Sequence, residues 1–211
     1  MGLRAVVFDF GMVLTGPPDA AAHAELLRIT GLDRERFESL YWADRHAYDE
    51  GKLTGIGFWQ KLVCDAGLNL PDSAIEELNL WDARMWTTVD PVMLAWQQKL
   101  KRRGLLTAIL SNIGDSVLAN LEREFEWIAG FDVRVWSYQL GIAKPDPAIY
   151  RHVLEQLGTE AAETLFIDDR VVNVEAARAL GMKSLEFTTV ERLRADLAAQ
   201  EFAADLPVPG C

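Results

Sequence analysis

Five short apolar runs alternate with helical patterns along this chain, and they predict the strands of one sheet. Each run is rich in β-branched or aromatic residues and ends in turn or polar residues: Leu3–Phe8, Leu105–Leu110, Val133–Trp136, Thr164–Ile167 and Lys183–Phe187. Strands that alternate with single helices are typical of βαβ units. The pattern therefore predicts an α/β fold, a doubly wound (Rossmann-like) parallel sheet with helices on both faces.

Two helix starts between the later strands support this fold. Asp90-Pro91 precedes a helical pattern over Val92–Arg102, and Asp146-Pro147 precedes one over Ala148–Leu157. An aspartate side chain accepts hydrogen bonds from the free N–H groups of a first turn, and proline suits the first helical position. Both dipeptides therefore mark helix N-termini.

The segment from residue 16 to residue 86 interrupts the alternation, because it has helical periodicity throughout and no convincing strand. About four helices are expected there, divided at Gly31, Gly51 and Gly55. Ser73-x-x-Glu76 resembles a capping box that opens the last one. We predict a core domain formed by residues 1–15 and 87–211, with a small α-helical cap subdomain, residues 16–86, inserted after the first strand.

Composition and charge narrow the classes of function. The chain has 211 residues, half of them hydrophobic, and a formal net charge of −11. Such a charge repels nucleic acids and anionic membrane surfaces, so neither is an expected partner. Cys64 and Cys211 lie far apart without metal-binding or redox spacing. No apolar run approaches the ~20 residues that cross a bilayer. We expect a cytoplasmic protein, either a monomer or a homodimer.

Polar residues that could take part in catalysis or metal binding lie at the predicted strand ends. Asp9 follows the first strand, Ser111 and Asn112 follow the second, Lys144 opens the helix after the third, and Asp168-Asp169 end the fourth. In a doubly wound sheet, ligands collect beyond the carboxyl ends of the strands. Together these residues supply a nucleophilic carboxylate, a hydroxyl donor, a cation and two metal-binding acids. Phosphoryl transfer requires these groups, and Mg²⁺ prefers such oxygen ligands.

Four segments together resemble the ordered motifs of the haloacid dehalogenase superfamily. They are Val7-Phe8-Asp9-Phe10-Gly11-Met12-Val13-Leu14, Leu110-Ser111-Asn112, Lys144-Pro145 and Phe166-Ile167-Asp168-Asp169-Arg170. The match spans nearly the whole chain, and the helical insertion resembles the branch with a small helical cap. That branch includes sugar-1-phosphate phosphatases and the N-terminal phosphatase domain of soluble epoxide hydrolases. The resemblance implies a magnesium-dependent phosphatase that acts on a small phosphorylated metabolite.

The resemblance also implies roles for individual residues. Asp9 would attack phosphorus and form an aspartyl-phosphate, while Ser111 donates a hydrogen bond to a phosphoryl oxygen and Lys144 offsets negative charge. Asn112 would shape the same substrate-binding loop, and Asn173 would brace the loop beside the metal. The expected magnesium ligands are the Asp9 carboxylate, the Gly11 carbonyl, Asp169, and Asp168 either directly or through water.

Each of these residues also has a purely structural interpretation. Asp9 and Ser111-Asn112 are residue types common in turns after strands. Lys144-Pro145 suits a stiff loop, and Asp168-Asp169 suits a helix N-terminus. In the insertion, Arg45 lies on one helical face with Tyr41 and Tyr48, where it is either a substrate contact or part of the cap interior.

Two other functions stay open from the sequence. A 2-haloacid dehalogenase uses an aspartate nucleophile without metal, but its fourth motif typically carries Ser and Asn where this chain has Asp168-Asp169. A phosphometabolite-binding relative without turnover is the second alternative, because Gly11 replaces the usual second aspartate of the first motif. In that position the family normally has the carboxyl that protonates the leaving oxygen.

Overall fold

The computed structural model describes residues 2–204 and 206–210. Five strands form one parallel sheet in the order β3-β2-β1-β4-β5. The strands are β1 (Ala5–Phe8), β2 (Leu106–Ser111), β3 (Val133–Trp136), β4 (Thr164–Asp168) and β5 (Lys183–Glu186). All five predicted runs are strands, shifted by no more than two residues at either end. The predicted α/β fold class is confirmed.

Eleven α-helices are found in the described residues. Those of the insertion are α1 (Ala20–Thr30), α2 (Arg34–Ala43), α3 (Arg45–Asp49), α4 (Gly55–Asp65) and α5 (Asp72–Met85). Those of the sheet region are α6 (Pro91–Arg102), α7 (Asp115–Glu124), α8 (Ser137–Leu140), α9 (Pro147–Leu157), α10 (Val171–Ala179) and α11 (Val190–Ala198). None is both long enough and apolar enough to cross a membrane.

The helix starts at Asp90 and Asp146 are as predicted. The Asp90 side chain accepts hydrogen bonds from the Val92 and Met93 N–H groups, and that of Asp146 accepts one from Ala148. The prediction of a capping box at Ser73 is wrong. Helix α5 begins one residue earlier, at Asp72, after Pro71, and has no side-chain cap. Asp72 instead places a carboxylate in the first turn, where its negative charge interacts favourably with the positive end of the helix dipole.

Both faces of the sheet are covered by helices. Val6 and Phe8 of β1 point into a core shared with α6, α7 and α11, while Ala5 and Val7 point into a second core shared with α9 and α10. Alternate residues of a strand face opposite sides, so a strand buried on both sides has no polar position. This explains why the central strand Ala5–Phe8 is apolar throughout.

The helical insertion has a third core of its own, which is built largely of aromatic side chains. Two connecting segments link it to the sheet and run side by side: Thr15 pairs with Val89 in an antiparallel bridge, and the Gly16 N–H donates to Thr88 O at 2.7 Å. Because the segments that enter and leave the insertion are paired, they form one short double connection at the carboxyl end of β1.

Candidate active site

Asp9 lies directly beyond β1, at the centre of the carboxyl edge of the sheet. Its N–H donates to Ile167 O of β4 at 2.8 Å, which continues the ladder between the two strands. Its Oδ1 accepts a hydrogen bond from the Phe10 N–H at 2.6 Å and lies 2.8 Å from Lys144 Nζ. Burial raises the pKa of Asp9 to about 7, and the Lys144 ammonium opposes that rise.

Asp9, Asp168 and Asp169 form an acidic cluster, with one oxygen from each lying within 4.8 Å of the others. The one ammonium within ion-pairing distance, among the described residues, is that of Lys144, which is 1% exposed and also lies 2.6 Å from Asp168 Oδ2. Asp168 and Asp9 together raise the pKa of Lys144 against its burial, so it stays charged. When all three acids are ionised, three carboxylates against one ammonium leave an excess of two negative charges.

A divalent cation fits this cluster on two grounds. It would neutralise the excess charge, and the oxygen donors are those that Mg²⁺ prefers. In addition, Asn173 Oδ1 is buried beside the cluster without a hydrogen-bond partner among the described residues. Buried polar atoms are nearly always paired, so an unpaired acceptor here suits a metal-bound water.

The two acids of the cluster at β4 have different surroundings. Asp168 is fully buried, and its Oδ1 accepts from the Asn173 side chain and the Arg170 N–H, both at 2.9 Å, while Oδ2 faces Lys144. Asp169 instead lines the open cavity. Burial and the neighbouring Asp168 raise the pKa of Asp169. Asp169 is therefore the more available ligand, and Asp168 organises the side chains around it.

Ser111 and Asn112 lie at the end of β2, beside Asp9. Ser111 is 3% exposed, lines the cavity, and its Oγ forms no hydrogen bond to a described residue. Asn112 joins two loops, because its side-chain amide donates to Lys144 O at 2.8 Å and its carbonyl accepts from the Lys144 N–H at 2.7 Å. Asn112 thus positions the backbone of Lys144, which lies in the loop before α9.

A cavity of about 580 Å³ lies over these residues, between the sheet edge and the helical insertion. From the sheet side it is lined by Asp9, Gly11, Ser111, Lys144 and Asp169. The insertion contributes Trp42, Arg45, His46 and Asp49. The strand ends and the insertion therefore enclose one common space.

Arg45, the predicted substrate contact, is 6% exposed and held by acids of the insertion. Its Nε donates to Asp49 at 3.0 Å, and one terminal nitrogen donates to Asp82 at 2.9 Å and to the Tyr41 hydroxyl. The partner Asp82 was not identified from the sequence, since it lies 37 residues away on α5. The i,i+4 spacings of Arg45 with Tyr41 and with Asp49 were the local signals for this network.

Gly11 contributes its main chain to the cavity. A Cβ at this position would lie 3.8 Å from two carbons of the Trp86 ring, which is ordinary contact. A side chain at this position would therefore point towards Trp86, and its Cβ would fit without overlap.

Comparisons with known proteins agree with this arrangement. A sequence model of the haloacid dehalogenase-like hydrolases matches residues 3–181. The chain is 32% identical over 188 residues to the sesquiterpene phosphatase astK of Aspergillus oryzae, covering 88% of this chain and 90% of that protein. It is also 32% identical over 190 residues to phosphatase MT3486 of Mycobacterium tuberculosis, covering 87% of each. Bifunctional epoxide hydrolase 2 of Mus musculus is 28% identical over 99% of this chain, which spans 41% of that protein.

Solved structures show the same fold. The enzyme bt-2542 of Bacteroides thetaiotaomicron superposes with a TM-score of 0.75 at 22% identity, covering 89% of this chain and 95% of that one. The same enzyme in complex with magnesium and inorganic phosphate gives a TM-score of 0.73 at 23% identity, over the same shares of the two chains. Because the family model spans most of the chain, and because the four motif segments meet at one edge of the sheet, the chain belongs to the haloacid dehalogenase-like hydrolases.

Proposed function

We propose that this chain is a magnesium-dependent phosphatase that hydrolyses a small phosphorylated metabolite through an aspartyl-phosphate on Asp9. The observation that carries the proposal is the cluster of Asp9, Asp168 and Asp169 around Lys144, next to the unbonded hydroxyl of Ser111. Phosphoryl transfer depends mainly on positioning and on neutralising charge, and this cluster provides both. The two phosphatases among the relatives support the same reaction class.

Each residue of the site has a defined part in this reaction. Asp9 Oδ2 has no hydrogen-bond partner among the described residues, so it is free to attack phosphorus, while Lys144 and the Phe10 N–H hold Oδ1. Ser111 Oγ donates to a phosphoryl oxygen, and Asn112 fixes the loop that carries Lys144. Magnesium, held by Asp9, the Gly11 carbonyl and Asp169, with Asp168 adjacent, would offset charge on the phosphoryl oxygens.

The helical insertion acts as a cap in this proposal. Its residues Trp42, Arg45, His46 and Asp49 form the wall of the cavity opposite the sheet. A closed wall excludes water while phosphate is transferred, which strengthens electrostatic interactions at the reacting atoms. Sugar phosphates are one substrate class to test, because the Asp-x-Gly-x-Val form of the first motif resembles sugar-1-phosphate phosphatases.

The test is turnover of a panel of phosphorylated metabolites, measured with magnesium and with a chelator. Asp9→Asn should abolish turnover, because an amide cannot form the covalent phosphoenzyme and is a poorer magnesium ligand. Phosphate release above a trace in this variant would contradict the mechanism. Trapping of the wild type with beryllofluoride should give a stable complex that Asp9→Asn does not form.

Two alternatives have separate readouts. Halide release from fluoroacetate or 2-chloropropionate without magnesium would favour a dehalogenase, although the three clustered carboxylates favour a metal-dependent reaction. Phosphometabolite binding without any Asp9-dependent turnover would favour a binding protein.

A further inference from the structure

Gly11 leaves the proposed reaction without its usual proton donor. An alkoxide is a poor leaving group, so transfer of phosphate from an ordinary alcohol requires a proton at the departing oxygen. The direction of the missing side chain is defined, since a Cβ at Gly11 would face the Trp86 ring at 3.8 Å. A carboxyl on that side of the cavity could take the place of the missing one.

Asp49 lies on that side. The Arg45 guanidinium carbon lies 5.9 Å from the centroid of the Trp86 ring, and Arg45 Nε donates to Asp49 Oδ1 at 3.0 Å. Trp86 therefore lies near the position of the missing Gly11 side chain and also near Arg45, which is bonded to Asp49. The second oxygen of Asp49 has no hydrogen-bond partner among the described residues, and the residue lines the cavity.

The backbone of Asp49 is tied to the catalytic edge of the sheet. Ser137 Oγ donates to Asp49 O at 2.5 Å and accepts from the Ile113 N–H at 2.9 Å. Ile113 is two residues beyond Ser111. Two hydrogen bonds thus connect the end of α3 to the loop expected to bind phosphate, and they fix the position from which the Asp49 side chain extends.

The charges around Asp49 suit a proton donor. Burial raises the pKa of Asp49 to about 6, Asp82 raises it further, and Arg45 and Arg170 oppose the rise. Tyr48 lies on the same helix, and His46 lines the same cavity. A carboxyl with a pKa close to the working pH is protonated in a useful fraction of molecules and releases its proton readily.

Asp9 and Asp169, which also line the cavity, are already assigned as nucleophile and metal ligand, and the remaining proton carriers there are less suitable. Arg45 and Arg170 are guanidinium groups, which do not deprotonate in proteins. Lys144 is held between Asp9 and Asp168. The His46 side chain is 63% exposed, so a proton at this position exchanges with solvent.

We propose that Asp49 is the general acid and base of this enzyme and takes the role of the carboxyl missing at Gly11; this inference rests on the proposed phosphatase function. In the first step, Asp9 bonds to phosphorus, the ester P–O bond breaks, and the leaving oxygen takes the proton of Asp49 to become an alcohol. In the second step, the Asp49 carboxylate takes a proton from the attacking water. The water oxygen bonds to phosphorus as the bond between Asp9 and phosphorus breaks, which releases phosphate, restores the Asp9 carboxylate and leaves Asp49 protonated.

The test compares wild type and Asp49→Asn on two substrates, an alkyl phosphate and p-nitrophenyl phosphate, whose phenolate leaves without a proton. The amide of this variant keeps an oxygen that accepts from Arg45 Nε, so the network and the fold are preserved. We expect kcat/KM to fall about 100-fold on the alkyl phosphate, the lower end of the general-acid range, and no more than about threefold on p-nitrophenyl phosphate. In the double variant Asp49→Asn, Gly11→Asp, the added carboxyl should restore most of the loss.

Other results separate the role of Asp49 from the proposed phosphatase function. Equal losses on both substrates, or no loss on either, would overturn the role of Asp49 and leave the phosphatase function intact. His46→Gln serves as the matched control on the same helix. If it, rather than Asp49→Asn, selectively slows the alkyl phosphate, His46 is the donor and the inference is wrong. If wild type shows no Asp9-dependent turnover of p-nitrophenyl phosphate, the phosphatase function fails and this inference with it.

Discussion

At the scale of single residues, the acidic cluster combines a structural acid with an available one. Asp168 is fully buried and bonded through both oxygens, whereas Asp169 lines the cavity. The two adjacent carboxylates therefore have different energetic roles. A buried ion pair that loses one partner leaves an uncompensated charge, while a cavity-lining carboxylate is removed at little structural expense.

We expect Asp168→Asn to lower the free energy of unfolding by about 3 kcal/mol, because it removes one of the two carboxylates that neutralise buried Lys144. Asp169→Ala should change that free energy by no more than about 1 kcal/mol. It should, however, weaken magnesium binding, with activity falling in parallel. Urea unfolding and calorimetric titration with magnesium measure the two quantities. Unchanged magnesium affinity in both variants would remove this pair from the metal site.

The pKa of Asp49 gives a prediction for stability against pH. Its value in the folded protein, about 6, lies above the ordinary 3.8, so the folded state binds the proton more tightly. The stability that this provides is complete below about pH 4 and is lost as the pH rises through about 6, a change of about 3 kcal/mol. Asp49→Asn should therefore gain stability relative to wild type between about pH 4 and about pH 7.

Urea unfolding of both proteins across this pH range measures the difference. Glu122→Gln, at an exposed position on α7, is the control, because it shows how removal of one surface carboxylate changes stability across the same pH range. A stability difference between wild type and Asp49→Asn that does not change with pH would contradict the raised pKa.

At the scale of elements, the insertion is docked on the sheet domain through close contacts that only glycine allows. A Cβ at Gly114, just before α7, would lie 2.1 Å from a ring carbon of Tyr48 on α3. Nearby, the Gly55 N–H donates to the Asp115 side chain at 2.8 Å, and α5 packs along α7. The position of the Arg45–Asp49 segment over the cavity therefore depends on a close approach between α3 and the start of α7.

Gly114→Ala should displace α3, because the new methyl group overlaps the ring of a fully buried tyrosine. We expect kcat/KM to fall at least about tenfold while the protein stays folded, since overpacking costs about 1–3 kcal/mol. Gly130→Ala is the matched control, because no atom lies within 4 Å of a Cβ at that position. Kinetics together with circular dichroism measure both effects. Full activity in Gly114→Ala would show that the contact is not needed to position α3 over the cavity.

At the scale of the whole molecule, the cavity combines the charged cluster with a set of apolar side chains from both the sheet region and the insertion. Beyond the acidic cluster, the apolar side chains that line it are Phe10, Met12, Pro18, Trp42, Trp86, Ile113 and Val117. Trp42 is 53% exposed and Met12 is 39% exposed, and both line the cavity. An apolar leaving group would cover both.

Trp42→Ala should raise KM about tenfold for a phosphate ester with a long alkyl chain, because less apolar surface is then buried on binding. The KM for a sugar phosphate should change less than about threefold, because hydroxyl groups gain little binding free energy from contact with apolar side chains. Leu80→Ala, at a similarly exposed position on α5 outside the cavity, is the control and should change neither. Equal effects of Trp42→Ala on both substrates would contradict an apolar subsite.

The sequence by itself determined the strands, their order along the chain and the residues at their ends. These follow from local causes: buried strands need continuous apolar runs, helices need caps, and parallel strands bring their carboxyl ends to one edge. Asp9, Ser111, Lys144 and Asp169 could therefore be selected from the order of residues alone. The same local signals were weaker in the insertion, where a short helix, α3, follows α2 and the capping box at Ser73 is absent.

Only the tertiary structure decided how the insertion meets the sheet. The pairing of Arg45 with Asp82, the contact of Gly114 with Tyr48 and the link from Asp49 through Ser137 join residues that lie 37 to 88 positions apart. Such contacts have no periodicity or spacing in the sequence, because they depend on packing between separately folded elements. The position of Asp49 across the cavity from Gly11 is for that reason a property of the folded chain alone.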